Sequence, residues 1–228
     1  MRGFPPSTVL EDVTAYDLAK VVGDMGAVIQ HFGANLQAGK ALVGGHDFGA
    51  AVAQLLALFK PDLVSGLILF NPPLLPNLQK LVQFDEGQQK LSEYTIPFIN
   101  FNKGDERPKN LTTSFIPEPA RRKEIEEYLN SNPIYGMLAY YKRNYPGPPY
   151  GQKIEAQPIQ FQLPTLVIWG SQDEYFSPKM VDGMPEIFGA GVRLVTFPKS
   201  GHWPFRQEPE KVNREVLSWL AELGNAGK

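Results

Sequence analysis

The stretch Gly45-His46-Asp47-Phe48-Gly49-Ala50 decides the fold that this sequence predicts. An apolar run at residues 41–45 precedes it and ends in glycines, as a buried strand does, and an alanine- and leucine-rich helix is predicted at residues 50–59. A strand that turns sharply into a helix raises one side chain above the sheet, and it needs small flanking residues because the backbone is crowded there. Gly45, Gly49 and Ala50 meet that need, and Asp47 is the residue that is raised.

The residues around this turn alternate between strand and helix patterns. Residues 41–45, 50–59 and 64–70 read as strand, helix and strand, which implies a parallel sheet covered by helices on both faces. The other elements predicted for this sheet and its helices are a helix at 14–33, a strand at 165–169, a helix at 178–188, a strand at 192–197 and a helix at 209–223. The sequence therefore predicts an α/β fold with a mostly parallel sheet.

A polar segment separates the two parts of this predicted sheet. Residues 74–157 are rich in Gln, Asn, Lys, Pro and Tyr, and helices are expected near 77–93, 118–130 and 133–144. A helical insertion between two halves of a strand–helix sheet is typical of a lid. We expect a core domain formed by residues 1–73 and 158–228 and a helical cap formed by residues 74–157.

The raised side chain of Asp47 suggests covalent chemistry. A carboxylate can attack an sp³ carbon and form an ester that water must then hydrolyse. The N-terminus of the following helix also favours a negative charge at this position. The alternative is that Asp47 only caps that helix, as aspartate often does.

Two later loops contain the residues that would assist such a nucleophile. Asp173, in Trp169-Gly170-Ser171-Gln172-Asp173, follows one strand, and His202, in Ser200-Gly201-His202-Trp203-Pro204, follows another. Nucleophile, acid and histidine, each after its own strand, occur in the chain order of the α/β-hydrolases. Taken alone, Asp173 could equally be a turn residue. His46 is expected to shape the turn beside Asp47, and His31 to end the first helix.

Composition excludes several classes of function. The chain has 228 residues and a formal net charge of −2, which gives no electrostatic argument for binding nucleic acid or an anionic membrane. It has no cysteine and three histidines, which excludes thiolate metal sites and disfavours a zinc site. No stretch approaches the roughly 18 apolar residues of a membrane helix. We expect a cytoplasmic enzyme with a small-molecule substrate, no cofactor and no metal.

Four motifs together resemble those of a known family. They are the turn at residues 45–50, Asn71-Pro72-Pro73, Gly170-Ser171-Gln172-Asp173 and Gly201-His202-Trp203. These motifs are similar to those of the epoxide hydrolase and haloalkane dehalogenase branch of the α/β-hydrolases. The resemblance implies a catalytic triad in which Asp47 forms an alkyl-enzyme ester and His202, oriented by Asp173, activates water to cleave it. The backbone N–H of Phe48 would help to hold the oxyanion.

The predicted cap separates the two activities of this branch. Gly136-Met137-Leu138-Ala139-Tyr140-Tyr141-Lys142-Arg143-Asn144 resembles the family's cap helix, and by register Tyr141 would hydrogen-bond the epoxide oxygen. Tyr94 is the candidate for the second tyrosine of the pair. Haloalkane dehalogenases typically place Trp after the nucleophile to hold the halide, whereas Phe48 has no N–H to offer. The resemblance thus favours epoxide opening to a vicinal diol; the alternative is that both tyrosines are half-buried cap aromatics.

In the family, strands and an His-Gly-x-Pro loop with a second oxyanion donor come before the segment at which this sequence begins. We therefore expect the fold to lack those N-terminal strands. Three explanations stay open: a truncated sequence, a non-catalytic remnant that binds a small molecule or a partner, or a homo-oligomer that rebuilds the sheet edge. An epoxide hydrolase is predicted, and the alternatives are a non-catalytic α/β-hydrolase-like protein and a haloalkane dehalogenase-type hydrolase.

Overall fold

A computed structural model describes residues 1–33, 39–154 and 159–226. The chain forms two compact units. The helical unit comprises Met1–Val21 and Glu93–Gly147, and the sheet unit comprises Val22–Ser92 and Pro148–Lys228.

The sheet unit contains, within its described residues, a four-stranded parallel sheet. Its strands are β1 (Ala41–His46), β2 (Val64–Phe70), β3 (Thr165–Gly170) and β4 (Val192–Phe197), and their spatial order is β1-β2-β3-β4. Because every neighbouring pair is parallel, the carboxyl ends of the strands meet at one edge of the sheet. The predicted α/β class is confirmed.

The helices were predicted less accurately than the strands. In chain order they are α1 (Leu18–Gly33), α2 (Phe48–Phe59), α3 (Leu75–Phe84), α4 (Glu86–Leu91), α5 (Ile96–Ile99), α6 (Pro119–Ser131), α7 (Tyr135–Asn144), α8 (Met184–Ile187), α9 (Pro204–Gln207) and α10 (Pro209–Ala226). Short 3₁₀ turns lie at Val13–Tyr16, Pro61–Leu63, Glu93–Thr95 and Pro178–Val181. Every helix in the described part of the chain is too short or too polar to cross a membrane.

Two predicted helices are interrupted for local reasons. The helix expected at 77–93 divides at Asp85, whose side chain accepts a hydrogen bond from the Gln88 N–H and so begins α4. The helix expected at 178–188 becomes a 3₁₀ turn and the short α8, since Gly183 between them has a φ of +68°.

The core of the sheet unit lies on both faces of the sheet. All residues of β3 are buried, and successive side chains point to opposite faces of the sheet. Val167 packs on the face that contains α2 and the later part of α1, whereas Leu166 and Ile168 pack with Val212 and Trp219 of α10 on the other face. Burying such an aliphatic side chain stabilises the fold by about 1.5–3 kcal/mol, so β3 anchors the sheet.

The helical unit is held together by aromatic and amide side chains. Tyr16 is fully buried, and its hydroxyl oxygen accepts the Leu10 N–H at 2.8 Å and donates to the Leu10 carbonyl at 2.9 Å. The side chain of Asn144, at the end of α7, accepts from the Leu18 N–H and donates to the Tyr16 carbonyl. Residues 1–21 therefore pack with α7.

This division differs from the predicted core of 1–73 and 158–228 and cap of 74–157. Residues 74–92 belong to the sheet unit, because Leu78 and Leu81 of α3 pack with Trp169 and Met180. Residues 1–21 belong to the helical unit instead. The change of composition after residue 73 marks the end of a strand, not the end of a unit. The predicted boundary at residues 157–158 lies outside the described residues.

Candidate active site

The turn between β1 and α2 has the sharp geometry that the sequence predicts. Asp47 has φ +52° and ψ −123°, a backbone conformation that costs on the order of 1–3 kcal/mol. A Cβ on Gly45 would lie 2.3 Å from the Gly49 carbonyl oxygen, so only glycine fits there. Because the backbone at the end of β1 lies this close to the start of α2, the side chain of Asp47 between them is directed away from the sheet.

The side chain of Asp47 does not cap α2. It makes no capping hydrogen bond to the first N–H groups of that helix, and it is 25% exposed. Helix capping, the alternative interpretation of Asp47, therefore has no support in the geometry. A partly exposed carboxylate on a strained turn costs stability without a local hydrogen bond in return, which is typical of a functional position.

Asp173 lies in the loop after β3, and its carboxylate is held by several donors. Oδ1 accepts from the N–H groups of Tyr175 and Phe176 at 2.8 and 3.0 Å. Oδ2 lies 2.8 Å from Nδ1 of His202, and the Asp173 side chain is only 1% exposed. This pattern is that of an ionised, oriented acid and not that of an ordinary exposed turn residue.

His202 lies between the two carboxylates. Its Nδ1 contacts Asp173, and its Nε2 lies 3.8 Å from Oδ1 of Asp47. The loop after β4 comes close to β3 because Gly170 has no side chain: a Cβ there would lie 2.0 Å from the Gly201 carbonyl oxygen. The structure therefore brings together the three side chains that the sequence singled out for catalysis.

Burial and nearby charges shift the pKa values of His202 and Asp173 in opposite directions. Burial lowers the pKa of His202, but the hydrogen bond to Asp173 and the nearby Asp47 carboxylate outweigh it, so that the pKa lies above its ordinary value. Burial raises the pKa of Asp173, but the hydrogen bonds from His202 and Asn71 hold that pKa below its ordinary value. An ionised Asp173 beside a basic imidazole is the state that a general base requires.

His46 has a closer link to His202 than the sequence indicated. Its Nε2 lies 2.8 Å from the carbonyl oxygen of His202, and the two rings are 4.5 Å apart. Burial, together with the positive charge that His202 can carry, lowers the pKa of His46 to about 4. His46 is therefore neutral at physiological pH, and as the Nε2–H tautomer it donates to the His202 carbonyl.

The lowered pKa of His46 predicts a specific loss of stability in acid. Between about pH 6.5 and about pH 4, His46 is protonated in the unfolded chain but stays neutral in the folded chain. The free energy of unfolding therefore falls as pH falls. The full loss at this one group is about 3 kcal/mol, and it is complete near pH 4. His46→Gln keeps an N–H donor but cannot titrate. The measurement is urea unfolding at about pH 7 and about pH 4.5. We expect the fall in the free energy of unfolding between these two pH values to be about 2–3 kcal/mol smaller in His46→Gln than in the wild-type protein.

His202 and Asp173 do not obscure this comparison. The pKa of His202 is raised in the folded state, so its effect on stability changes above about pH 6.5. The pKa of Asp173 is lowered, so its effect on stability changes only below about pH 4. Both changes are also the same in the two proteins that are compared. Parallel stability profiles for the two proteins would contradict the assignment of a neutral, buried His46.

Asn71 is a site residue that the sequence indicated only as part of a motif. It follows β2, is fully buried and has a φ of +37°. Its Nδ2–H donates to Oδ2 of Asp173 at 2.6 Å, and its Oδ1 accepts the Gly170 N–H at 2.9 Å. The sequence feature that could have indicated this role is the position of Asn71 directly after a buried strand and ahead of two prolines.

The residues predicted to contact substrate lie in both units. Phe48 begins α2 beside Asp47 in the sheet unit. Tyr141 on α7 and Tyr94 lie in the helical unit, where their rings meet edge to face at 6.3 Å and both pack on Phe98. The structure thus brings the two predicted tyrosines together. The described residues contain no cluster of three or more His, Asp or Glu side chains that could hold a metal ion.

Comparison with known proteins identifies the family of the chain. The profile of a family described as "alpha/beta hydrolase fold" matches residues 1–209. The chain belongs to this α/β hydrolase fold family. The predicted family and fold are thereby confirmed.

Curated relatives of this chain include proteins named as epoxide hydrolases. The chain is 26% identical to epoxide hydrolase 3 of Mus musculus over 98% of its own length, but it spans only 62% of that relative. It is 23% identical to epoxide hydrolase srdG of Neurospora crassa, covering 98% of this chain and 77% of the relative.

Solved structures point to the same fold. An epoxide hydrolase from metagenomes of hot environments superposes with a TM-score of 0.78 at 25% identity, over 96% of this chain and 79% of that one. The epoxide hydrolase of Bacillus megaterium superposes with a TM-score of 0.77 at 23% identity, over 96% and 81% of the two chains. At such identity the second likeness concerns the fold alone.

Proposed function

We propose that this α/β hydrolase opens an epoxide to a vicinal diol through a covalent ester on Asp47. The observation that carries the proposal is the placement of Asp47: its side chain leaves a strained turn without capping α2, and it lies 3.8 Å from Nε2 of a histidine that Asp173 orients. The relatives named as epoxide hydrolases support the same substrate class.

In the first step, a carboxylate oxygen of Asp47 would attack an epoxide carbon. A C–O bond to Asp47 forms, the C–O bond of the ring breaks, and its electron pair moves to the departing oxygen. Tyr141, assisted by Tyr94, would donate the proton that this oxygen needs, because an alkoxide is a poor leaving group without one. The product of this step is an alkyl ester of Asp47.

In the second step, neutral His202 would remove a proton from water through Nε2. The hydroxide attacks the carbonyl carbon of the ester, and the backbone N–H of Phe48, at the positive end of α2, stabilises the oxyanion. The ester bond breaks, and the diol oxygen takes the proton from the imidazolium. The second proton of the water, which is left on the Asp47 carboxyl group, returns through solvent to the phenolate of Tyr141, so that Asp47 is again a carboxylate and Tyr141 again a phenol. Asp173 stabilises the transient charge on His202.

Position 48 supports an epoxide over a haloalkane as substrate. Halide release needs hydrogen-bond donors that hold an anion, and the side chain of Phe48 has none to offer. Epoxide opening instead needs an acidic O–H, which the phenols of Tyr141 and Tyr94 can supply. A core with a helical cap is part of this proposal, whereas a cytoplasmic location and a homo-oligomer stay predictions from the sequence.

A single turnover in oxygen-18 water tests the proposal. Enzyme is mixed in excess with an aryl epoxide, and the diol and the peptide that contains Asp47 are analysed by mass spectrometry. If the ester forms, the label enters the Asp47 carboxylate and the first diol is unlabelled, because its new oxygen comes from Asp47. Labelled diol with unlabelled Asp47 would point to direct attack by water. No diol at all would contradict epoxide hydrolysis.

A further inference from the structure

Asn71 combines complete burial with an unusual backbone conformation. A φ of +37° is uncommon for any residue except glycine, and holding a residue in a sparsely populated region costs stability. Its backbone N–H donates to the Ile168 carbonyl at 2.9 Å, which continues the pairing of β2 with β3 beyond the end of the strand. The side chain then turns across the end of β3.

Both ends of the Asn71 amide are used there. Oδ1 accepts the Gly170 N–H at 2.9 Å, and Nδ2–H donates to the Gly170 carbonyl at 3.3 Å and to Oδ2 of Asp173 at 2.6 Å. The contacts to Gly170 fix the amide in one orientation, with its N–H groups toward Asp173. A carboxyl group at position 71 could donate to Asp173 only while it is protonated, and its single O–H could not also donate to the Gly170 carbonyl.

The two oxygens of Asp173 are held in different ways. Oδ1 is bound to the N–H groups of its own loop, at Tyr175 and Phe176. Oδ2 is shared between Nδ1 of His202 and Nδ2 of Asn71. Asn71 lies outside the loop of Asp173. Its hydrogen bond to Oδ2 therefore helps to set the direction of the oxygen that faces the imidazole of His202.

We propose that Asn71 is a positioning residue for water activation: through Asp173 it sets the orientation and the basicity of His202. This inference rests on the proposed function for its kinetic consequence. Attack by Asp47 on the epoxide does not use His202, but hydrolysis of the ester does. Loss of the Asn71 amide therefore slows the second step and spares the first.

The test is a comparison of the two steps in the Asn71→Ala protein by rapid quench and intact-mass analysis. Ester formation stays at the wild-type rate, and ester hydrolysis slows by about 10- to 100-fold, as expected for the loss of a hydrogen bond to a charged group. Equal slowing of both steps, or no slowing of hydrolysis, would overturn the proposal.

Asn71→Asp keeps the shape of the side chain and guards against a failure to fold. Its carboxyl group can donate to Asp173 only while protonated, so ester hydrolysis acquires an additional fall as pH rises that Asn71→Ala does not show. Asp173 faces this group directly, and the other ionisable groups around the Asp173–His202 pair are His46, Asp47, Glu174 and Tyr175. An Asn71→Asp profile parallel to that of Asn71→Ala would count against the proposal.

Gln54→Met is the matched structural control. Gln54 is also fully buried, and its amide donates to the Pro73 carbonyl and accepts the Leu75 N–H, so it fixes the same loop without touching Asp173. We expect Gln54→Met to lower stability and leave the ratio of the two rates unchanged. If Gln54→Met changes the ratio of ester formation to ester hydrolysis as much as Asn71→Ala does, then Asn71 acts only by fixing the loop, and the proposal is wrong.

A measurement on the free protein separates this inference from the proposed reaction. Because Nδ1 of His202 lies 2.8 Å from Oδ2 of Asp173, we expect its proton to give a downfield proton NMR signal. We expect that signal to shift or broaden in Asn71→Ala and to persist in Gln54→Met, whether or not an epoxide is turned over. An unchanged signal in Asn71→Ala would refute the positioning role, whereas the absence of ester in the wild-type protein would refute only the proposed function.

Discussion

Replacement of Asp47 by asparagine is expected to abolish ester formation and to lower the rate of diol release by at least about 10³-fold. An amide oxygen is uncharged and its lone pairs are delocalised, so it does not attack an epoxide carbon at a useful rate. The protein should still fold, because asparagine has the same shape as aspartate and is among the residues that tolerate a positive φ best. The measurement is intact-mass detection of the adduct together with diol analysis.

Asp85 offers a control of the opposite kind. Its side chain caps α4 by accepting the Gln88 N–H, whereas that of Asp47 caps nothing. We expect Asp85→Ala, which removes the cap, to lower the free energy of unfolding by about 1 kcal/mol and to leave ester formation intact. Asp47→Asn should change stability by less than about 1 kcal/mol. Deamidation of the Asp47→Asn protein would restore aspartate at position 47, so an ester there would not count. An ester that forms at any other residue would refute the nucleophile assignment.

The proximity of the three candidate catalytic side chains could be predicted from the sequence, because the order of the strands determines which loops lie at the same edge of the sheet. Three loops that each follow a strand of one parallel sheet must meet at one edge of that sheet. Asp47, Asp173 and His202 satisfy this condition, and no knowledge of side-chain packing was needed to bring them together. The glycines at positions 45 and 170 belong to the same logic, since their neighbours leave no room for a side chain.

The supporting contacts could not be predicted in this way. The link between His46 and the His202 carbonyl depends on how the last loop bends, and the contact between Asn71 and Asp173 depends on a single left-handed residue. Hydrophobic periodicity carries no information about either. The division into units was missed for a related reason: the polar composition of residues 74–92 does not show that Leu78 and Leu81 pack against Trp169.

Replacement of His202 by glutamine is expected to separate the two steps of the reaction. Attack by Asp47 proceeds without a base, so the ester forms at close to the wild-type rate. Its hydrolysis should slow by about 10³-fold or more, since glutamine cannot take a proton from water. The alkyl-enzyme therefore accumulates, and mass spectrometry of the mixture should show nearly complete modification of the Asp47 peptide.

The pH dependence supplies a second readout of the same variant. The pKa of His202 lies above its ordinary value near 6.5, and only the neutral imidazole accepts a proton. In the wild-type protein, ester hydrolysis should therefore rise as pH increases through that raised pKa, and in His202→Gln the rise should be absent. His31→Gln is the matched control, because His31 lies exposed in the last turn of α1, and it should behave as wild type. If His202→Gln turns over repeatedly without accumulating ester, another base activates the water, and the arrangement of Asp47, His202 and Asp173 has a different purpose.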